Sequence, residues 1–220
     1  MAVKPLSQSP AVDKAVAYDP SVPQASNSIT DEEGLKRFAD SPEAQALRDR
    51  VKDFKGVPSA ELPKSLNAEL RPYQKDGFDF LCHLAQVKLG GILADDMGLG
   101  KTLQTLAWLA WLKERNGKNP KPSLVICPTS VASNWVAEAA RFTPGLKVVA
   151  LQGADRAGRF SELASADLAI TSYALIRRDA ARYVQMEFDT VVLDEAQHIK
   201  NRETQNAQAV KSVKSRHRLV

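Results

Sequence analysis

The chain is poor in the residues that staple or metallate a protein. Of its 220 residues only two are cysteines, Cys82 and Cys127, and three are histidines, His83, His198 and His217. Both cysteines sit in apolar stretches, and the histidines do not group with them at the spacing of a zinc site; Cys82 and His83 are neighbours, but two residues make no site. The pattern argues against a disulfide framework and against zinc, and reads both cysteines as small buried hydrophobes. A long hydrophobic run is missing too. The longest, from Leu106 to Leu112, is far short of the ~20 apolar residues that span a bilayer, so no membrane partner is expected. No leader pattern opens the chain, which with the reduced cysteines predicts a soluble cytoplasmic protein. Charge imbalance is slight: the formal net charge is +4 and the isoelectric point about 9.0, which alone decides nothing about nucleic acid. Over residues 199–220, however, Lys200, Arg202, Lys211, Lys214, Arg216 and Arg218 face a single acid, Glu203. A solvated helix face and a phosphate-binding patch account for that run about equally well.

What is present is ordinary for a globular protein: 44% hydrophobic and 25% charged residues, enough for one α/β domain and an appendage. There is no internal repeat. Residues 1–29 hold Pro5, Pro10, Pro20 and Pro23 without apolar periodicity and read as a linker or disordered arm. Residues 30–57 read as a short helical appendage. Thr30 and Glu33 have capping-box form, Ser41 followed by Pro42 marks a second helix start, Leu47, Val51 and Phe54 make an apolar stripe, and Gly56 can stop the helix. Residues 58–63 read as a connector.

From Leu70 onward strand and helix signals alternate. Helices are predicted over 71–88, 101–115 and 131–142, and strands over 91–95, 123–128, 147–152, 167–173 and 190–195. Alternation of this kind predicts an α/β fold, a mainly parallel sheet with helices on both faces.

The sharpest signal is Asp95-Asp96-Met97-Gly98-Leu99-Gly100-Lys101-Thr102. It follows a predicted strand and opens a predicted helix, the setting of a P-loop. Gly98 and Gly100 let the backbone approach a phosphate with its N–H groups inward. Lys101 supplies a cation for the β- and γ-phosphates, and Thr102 a hydroxyl for Mg²⁺. The first glycine of the usual pattern is Asp95 here. Far downstream, Val191-Val192-Leu193-Asp194-Glu195 is an apolar strand ending in paired acids. A parallel sheet presents ligands at the carboxyl ends of its strands, so Asp194 is expected at the Mg²⁺ beside Thr102 and Glu195 at the attacking water. Alone, such an acid pair is usually plain surface; with the glycine loop it becomes specific.

These residues carry a resemblance. Leu70-Arg71-Pro72-Tyr73-Gln74, the stretch from Gly91 through Thr102, and Asp194-Glu195-Ala196-Gln197-His198-Ile199-Lys200-Asn201 resemble the nucleotide motifs of the Swi/Snf-type ATPases, double-stranded DNA translocases of helicase superfamily two. An acid in place of the first P-loop glycine is normal in that family. Cys127-Pro128-Thr129-Ser130 through Asn134-Trp135 resembles its motif Ia, and Ile170-Thr171-Ser172-Tyr173 the next DNA-contacting motif. The resemblance spans residues 58–220 and looks closest to bacterial members. It implies a RecA-like ATP-binding lobe, ATP and Mg²⁺ as cofactors, and duplex DNA as partner, in a nucleoid-associated protein if the source is bacterial.

Residue by residue, the resemblance implies that Gln74 reads the adenine edge and that Asp96, Met97, Gly98, Leu99, Gly100, Lys101 and Thr102 hold the phosphates. It makes Asp194 and Glu195 the Walker-B pair and Gln197 a relay of nucleotide state. It also implies DNA contacts at Thr129, Ser130, Asn134, Thr171 and Ser172. Against these stand plainer readings: Gln74 as a surface amide, the hydroxyl residues as helix caps, and Trp135, Trp108 and Trp111 as core. In the family the strand beginning near His217 lies between the P-loop strand and the Asp-Glu strand and leads to a second RecA-like lobe. Here the chain stops at Val220, so the expectation is a fragment with a central strand cut short. Two functions follow: the ATP-binding lobe of a DNA motor, or an inert nucleotide- and DNA-binding module. An RNA helicase fits the motifs less well.

Overall fold

The computed structural model describes residues 15–18, 39–52, 56–96, 98–115, 117 and 121–220. The strands are β1 (Ala15–Tyr18), β2 (Gly90–Leu93), β3 (Ser123–Cys127), β4 (Val148–Ala150), β5 (Leu168–Ser172), β6 (Glu187–Leu193) and β7 (Lys214–Leu219). The principal helices are α1 (Pro42–Val51), α2 (Pro72–Gln86), α3 (Lys101–Arg115), α4 (Ala132–Phe142), α5 (Tyr173–Arg178) and α6 (Gln205–Ser212). They form one sheet in the order β1-β2-β7-β6-β3-β5-β4. Every neighbouring pair from β2 to β4 is parallel, and β1 runs antiparallel to β2.

Local chemistry explains the helices. Ser41 caps α1 by accepting from the Ala44 N–H at 3.1 Å, with Pro42 behind it. The apolar stripe and Thr30 lie outside the described residues or side chains; Gly56 adopts φ +111°. In α2 the Gln74 side chain accepts the Arg71 N–H at 2.9 Å, and Phe78, Leu81, Cys82 and Ala85 are buried at helical spacing. In α3 the run from Leu106 to Leu112 is buried on every side. The longest apolar stretch of the sequence is thus a core helix.

Two apolar clusters flank the sheet. One joins α2, α3 and α4 to Val125, Ile170 and Leu219. The other joins Ile126, Val191 and Leu193 to Tyr173, Ile176, Tyr183 and Val210. Strands β3 and β5 are buried at all five positions, as strands covered on both faces must be. The connector packs on this lobe: the Ala60 N–H donates to Asp79 Oδ1 at 2.8 Å and the Asn67 N–H to the Phe142 carbonyl at 2.7 Å.

Three sequence expectations need correction. The arm over residues 1–29 contains a strand: β1 pairs Ala15 with Leu93 and Tyr18 with Gly90, because the outer edge of β2 offers unpaired backbone groups. The strand expected from about His217 starts at Lys214 and is no stump. It pairs with β6 from Glu187↔Lys214 to Val192↔Leu219, and Val220 closes on β2 through Leu93 N–H to Val220 O at 2.7 Å and Val220 N–H to Gly91 O at 2.9 Å. Its basic side chains hid it, since Lys214, Arg216 and Arg218 occupy alternate positions. Strand β6 likewise begins at Glu187, three residues before the predicted 190.

Candidate functional site

The parallel register aligns the carboxyl ends of the central strands. Val192 is level with Leu219, Leu193 with Ile126, and Cys127 with Ser172. The segments that leave these ends therefore meet along one edge: the glycine loop after β2, the acid pair after β6, the Thr129–Val131 turn after β3 and α5 after β5. A cleft of about 400 Å³ opens there, with Asp95, Lys101, Thr102, Asp194, Glu195 and Gln197 among its lining residues. The volume is in the usual range for a small-molecule site.

The glycine loop needs its glycines. Gly98 and Gly100 have φ of +83° and +76°, the left-handed region where a side chain is strained. At Gly100 a Cβ would also come within 2.4 Å of Gln74 Nε2. The Lys101 ammonium, first residue of α3, donates to the carbonyls of Asp95 at 2.7 Å and Asp96 at 3.0 Å. Both acceptors are neutral, so an anionic oxygen in the cleft would compete with them by charge. Met97 lies outside the described residues. Asp95, where a glycine is usual, is 8% exposed and accepts from Gln104 Nε2 at 3.3 Å. Gln104 is fully buried and lies so close to Gly77 that a Cβ there would be 2.0 Å from its Oε1. Gln74 is also buried, its Nε2 donating to the Leu99 carbonyl at 3.1 Å. The sequence assigned Gln74 to a base edge; the fold ties it to the glycine loop first.

Across the cleft, Asp194 and Glu195 follow β6. Glu195 is left-handed at φ +54°, strain that a non-glycine residue holds only when its surroundings enforce it. Its carboxylate accepts from Gln197 Nε2, so the acid pair and Gln197 come together. Asp194 is gripped twice, by Trp135 Nε1 donating to Oδ2 at 2.8 Å and by the Tyr173 hydroxyl donating to its carbonyl at 2.9 Å. Burial pushes the Glu138 carboxyl up, against the opposing pull of the Thr102 hydroxyl and the Arg141 charge. Burial and the Asp194 charge push the Cys127 thiol up to about 12, which makes it inert packing; Cys82 is likewise raised. Burial, then the Asp194 charge, raises the Tyr173 phenol as well, so it remains a donor.

Thr102 and Asp194 offer a hydroxyl and a carboxylate, hard oxygens that suit Mg²⁺. No group of three or more His, Cys, Asp or Glu side chains that could hold a metal occurs among the described residues. A divalent cation here would draw on phosphate oxygens as well, as Mg²⁺ commonly does.

The residues assigned to nucleic acid divide. Thr129, Ser130 and Asn134 are exposed on the turn after β3 and the first turn of α4. Thr171 and Ser172 are not available. Thr171 is 0% exposed with its hydroxyl toward the Leu151 carbonyl, and Ser172 is 1% exposed and caps α5 by accepting from the Leu175 N–H. This corrects the expectation: their hydroxyls serve the fold, and Ser172 takes the capping reading. Sequence reasoning missed the site roles of Trp135, Tyr173 and Gln104. Asn134-Trp135 and Ser172-Tyr173 stood beside assigned residues, the only sequence signal that could have found two of them.

Comparison with known proteins agrees with this geometry. The model of the SNF2-related domain matches residues 73–220. The TATA-binding protein-associated factor mot1 of Schizosaccharomyces pombe is 40% identical over 177 residues, covering 74% of this chain and 9% of its own length. The putative ATP-dependent helicase/translocase YwqA of Bacillus subtilis is 36% identical over 187 residues, covering 83% of this chain and 20% of its own. The relatives thus include fungal as well as bacterial proteins. A solved structure of the Sulfolobus solfataricus SWI2/SNF2 ATPase core in complex with dsDNA superposes with a TM-score of 0.68 at 42% identity, over 74% of this chain and 33% of that one. The chain spans a third or less of each of these proteins.

Proposed function

Because the chain belongs to the SNF2-related family of helicase-like ATPases, we propose that residues 58–220 are the ATP-binding lobe of a DNA-dependent ATPase that moves along duplex DNA or remodels complexes on it. One observation carries the reading: Lys101 and Thr102 share one cleft with Asp194 and Glu195 at the carboxyl edge of the sheet. In this reading Lys101 and the loop N–H groups bind the β- and γ-phosphates. Thr102 and Asp194 hold Mg²⁺, which when bound would neutralise phosphate charge, and Glu195 orients the attacking water. Gln74 keeps one N–H and one lone pair beyond its bonds to the Leu99 carbonyl and the Arg71 N–H, enough for an adenine edge. Gln197, bonded to Glu195, reports on what occupies the cleft. DNA meets Thr129, Ser130 and Asn134 through its phosphates, in the cytoplasm where such a substrate is found.

A narrower reading applies to this chain alone. No arginine lines the cleft among the described residues, and a transition-state arginine is worth about 10³–10⁵ in rate in P-loop NTPases. Turnover is therefore assigned to this lobe together with a second one that closes over the nucleotide. Phosphate release with and without duplex DNA tests both readings. The 220-residue chain is expected to show negligible DNA-stimulated turnover, and the chain joined to a family second lobe a clear one. Glu195→Gln in the joined protein should abolish turnover and spare ATP binding. Robust stimulated turnover by the 220 residues alone would overturn the assignment to two lobes; none in the joined protein would overturn the motor.

A further inference from the structure

A second cavity lies at the other end of the sheet from the nucleotide cleft. Helix α3 begins at Lys101 in the cleft and ends at Arg115 in this cavity, fifteen residues and so about 22 Å away. The cavity holds about 330 Å³, within the range of small-molecule sites. Buried Trp111, Leu112 and His217 form its floor, and exposed Lys88, Arg115 and Arg216 its rim. Trp111 and His217 are 4% and 2% exposed, and each carries a buried nitrogen, the indole Nε1 and the imidazole Nδ1, with no hydrogen-bond partner among the described residues. Buried polar atoms in native proteins are nearly always paired, so two unpaired ones in the wall of one cavity point to a ligand.

Charge narrows the ligand. No acid lines the cavity among the described residues. The carboxyl ends of α2 and α3 meet there, each worth about half a negative charge, and Asp189 lies 3.9 Å from Arg216. Burial lowers the His217 pKa, so its imidazole is uncharged at neutral pH. Against these, the rim cations leave about one positive charge unbalanced. The Arg115 guanidinium lies over the Trp111 ring, 4.3 Å from the centroid. An exposed cation–π contact is weak, whereas an unmade bond at a buried N–H is costly. An anion that draws the Arg115 head off the ring therefore gains the indole N–H as a donor.

We propose that this cavity binds a small organic monocarboxylate, its carboxylate held by Arg115, Arg216 and the Trp111 indole N–H and its apolar body packed on Trp111 and Leu112. The single excess charge selects a monoanion over a phosphate dianion. The apolar floor selects a hydrocarbon body over a bare ion. The site stands apart from the nucleotide cleft and does not depend on what that cleft holds.

The test is a titration of the isotope-labelled 220-residue chain with cyclohexanecarboxylate, which has an apolar body and no aromatic ring current, read on the tryptophan indole N–H signals by nitrogen–proton correlation. Trp111→Phe assigns the Trp111 signal by its loss. The expected result is a saturable downfield shift of the Trp111 signal at millimolar ligand. The Trp135 signal, from an N–H bonded to Asp194 in the nucleotide cleft, stays in place. Arg115→Gln and Arg216→Gln, on exposed side chains, should each weaken binding at least about tenfold, the loss expected of a charged hydrogen-bond partner. Replacing the ligand by neutral cyclohexanecarboxamide should weaken it as much. Absence of a saturable Trp111 shift overturns the proposal, as does undiminished binding by both arginine variants. Equal binding of inorganic phosphate makes the site a general anion patch and overturns it too. Tighter binding of an acetylated Leu-Glu-Leu peptide would assign the cavity to an acidic protein segment and overturn the small-molecule ligand.

Discussion

Gly100 shows how tightly the glycine loop is specified by its neighbours. Its φ of +76° and the 2.4 Å approach of Gln74 Nε2 to a would-be Cβ act together, whereas Gly98 has the positive φ and open space. Strain at such a position is about 1–3 kcal/mol. Gly100→Ala should therefore weaken Mg·ADP by at least about tenfold and Gly98→Ala by less, read by calorimetry; the reverse order would contradict the packing of Gln74 on the loop. His217 makes a second prediction. It is 2% exposed, and burial lowers its pKa against the opposing pull of Asp189. The unfolded chain takes up this proton near the ordinary value of about 6.5, while the folded chain does so only at lower pH. Stability from His217 is present above that value and is lost as pH falls below it. The melting temperature should drop between pH 7 and pH 5, and His217→Gln should flatten part of that drop. An unchanged slope would remove His217 from the acid response. Lys101, Thr102, Asp194 and Glu195 were legible in the sequence because each belongs to a short contiguous pattern. Trp135 and Tyr173 were not, because their partner Asp194 is distant in the chain and only the fold brings it near.

At the scale of elements, β5 shows where a sequence reading stops. Its position at a strand end was correct, but position alone does not say which way a hydroxyl points, and Thr171 and Ser172 turn inward. Ser172→Ala should lower stability by about 1 kcal/mol, the usual value of an N-cap, and leave duplex affinity within about twofold. A joint Thr129→Ala and Ser130→Ala change should weaken DNA with little loss of stability. Anisotropy with labelled duplex, beside thermal melts, separates the two; a DNA defect in Ser172→Ala would restore it to the interface. Helix α3 was legible to its boundaries because its apolar run and Lys101 start agree. Strand β7 was half-read because Lys214, Arg216 and Arg218 carry no strand signal, and tertiary pairing between β2 and β6 decides its length. Its buried Leu219, 2% exposed, joins β2 to β6. Leu219→Ala should cost about 2–5 kcal/mol, measured by denaturant unfolding.

The whole molecule is a sheet that gathers four loop ends at one edge, with two apolar clusters holding the strands in register behind them. Any DNA bound along that edge meets exposed hydroxyls and amides rather than a base-reading helix. Its affinity should be independent of sequence and fall steeply between low and moderate salt, because phosphate contacts release counterions. The central claim concerns what the edge was built to hold, and one measurement reaches it: calorimetric titration of Mg·ADP into the wild-type chain and into Lys101→Ala. Among the described residues Lys101 donates only within its own loop, to the Asp95 and Asp96 carbonyls, so its removal should leave the fold intact, as far-ultraviolet circular dichroism would record. The expected result is one saturable site in the wild type and at least about a tenfold weaker one in the variant. Equal affinity in the two proteins would place the nucleotide elsewhere and contradict the account.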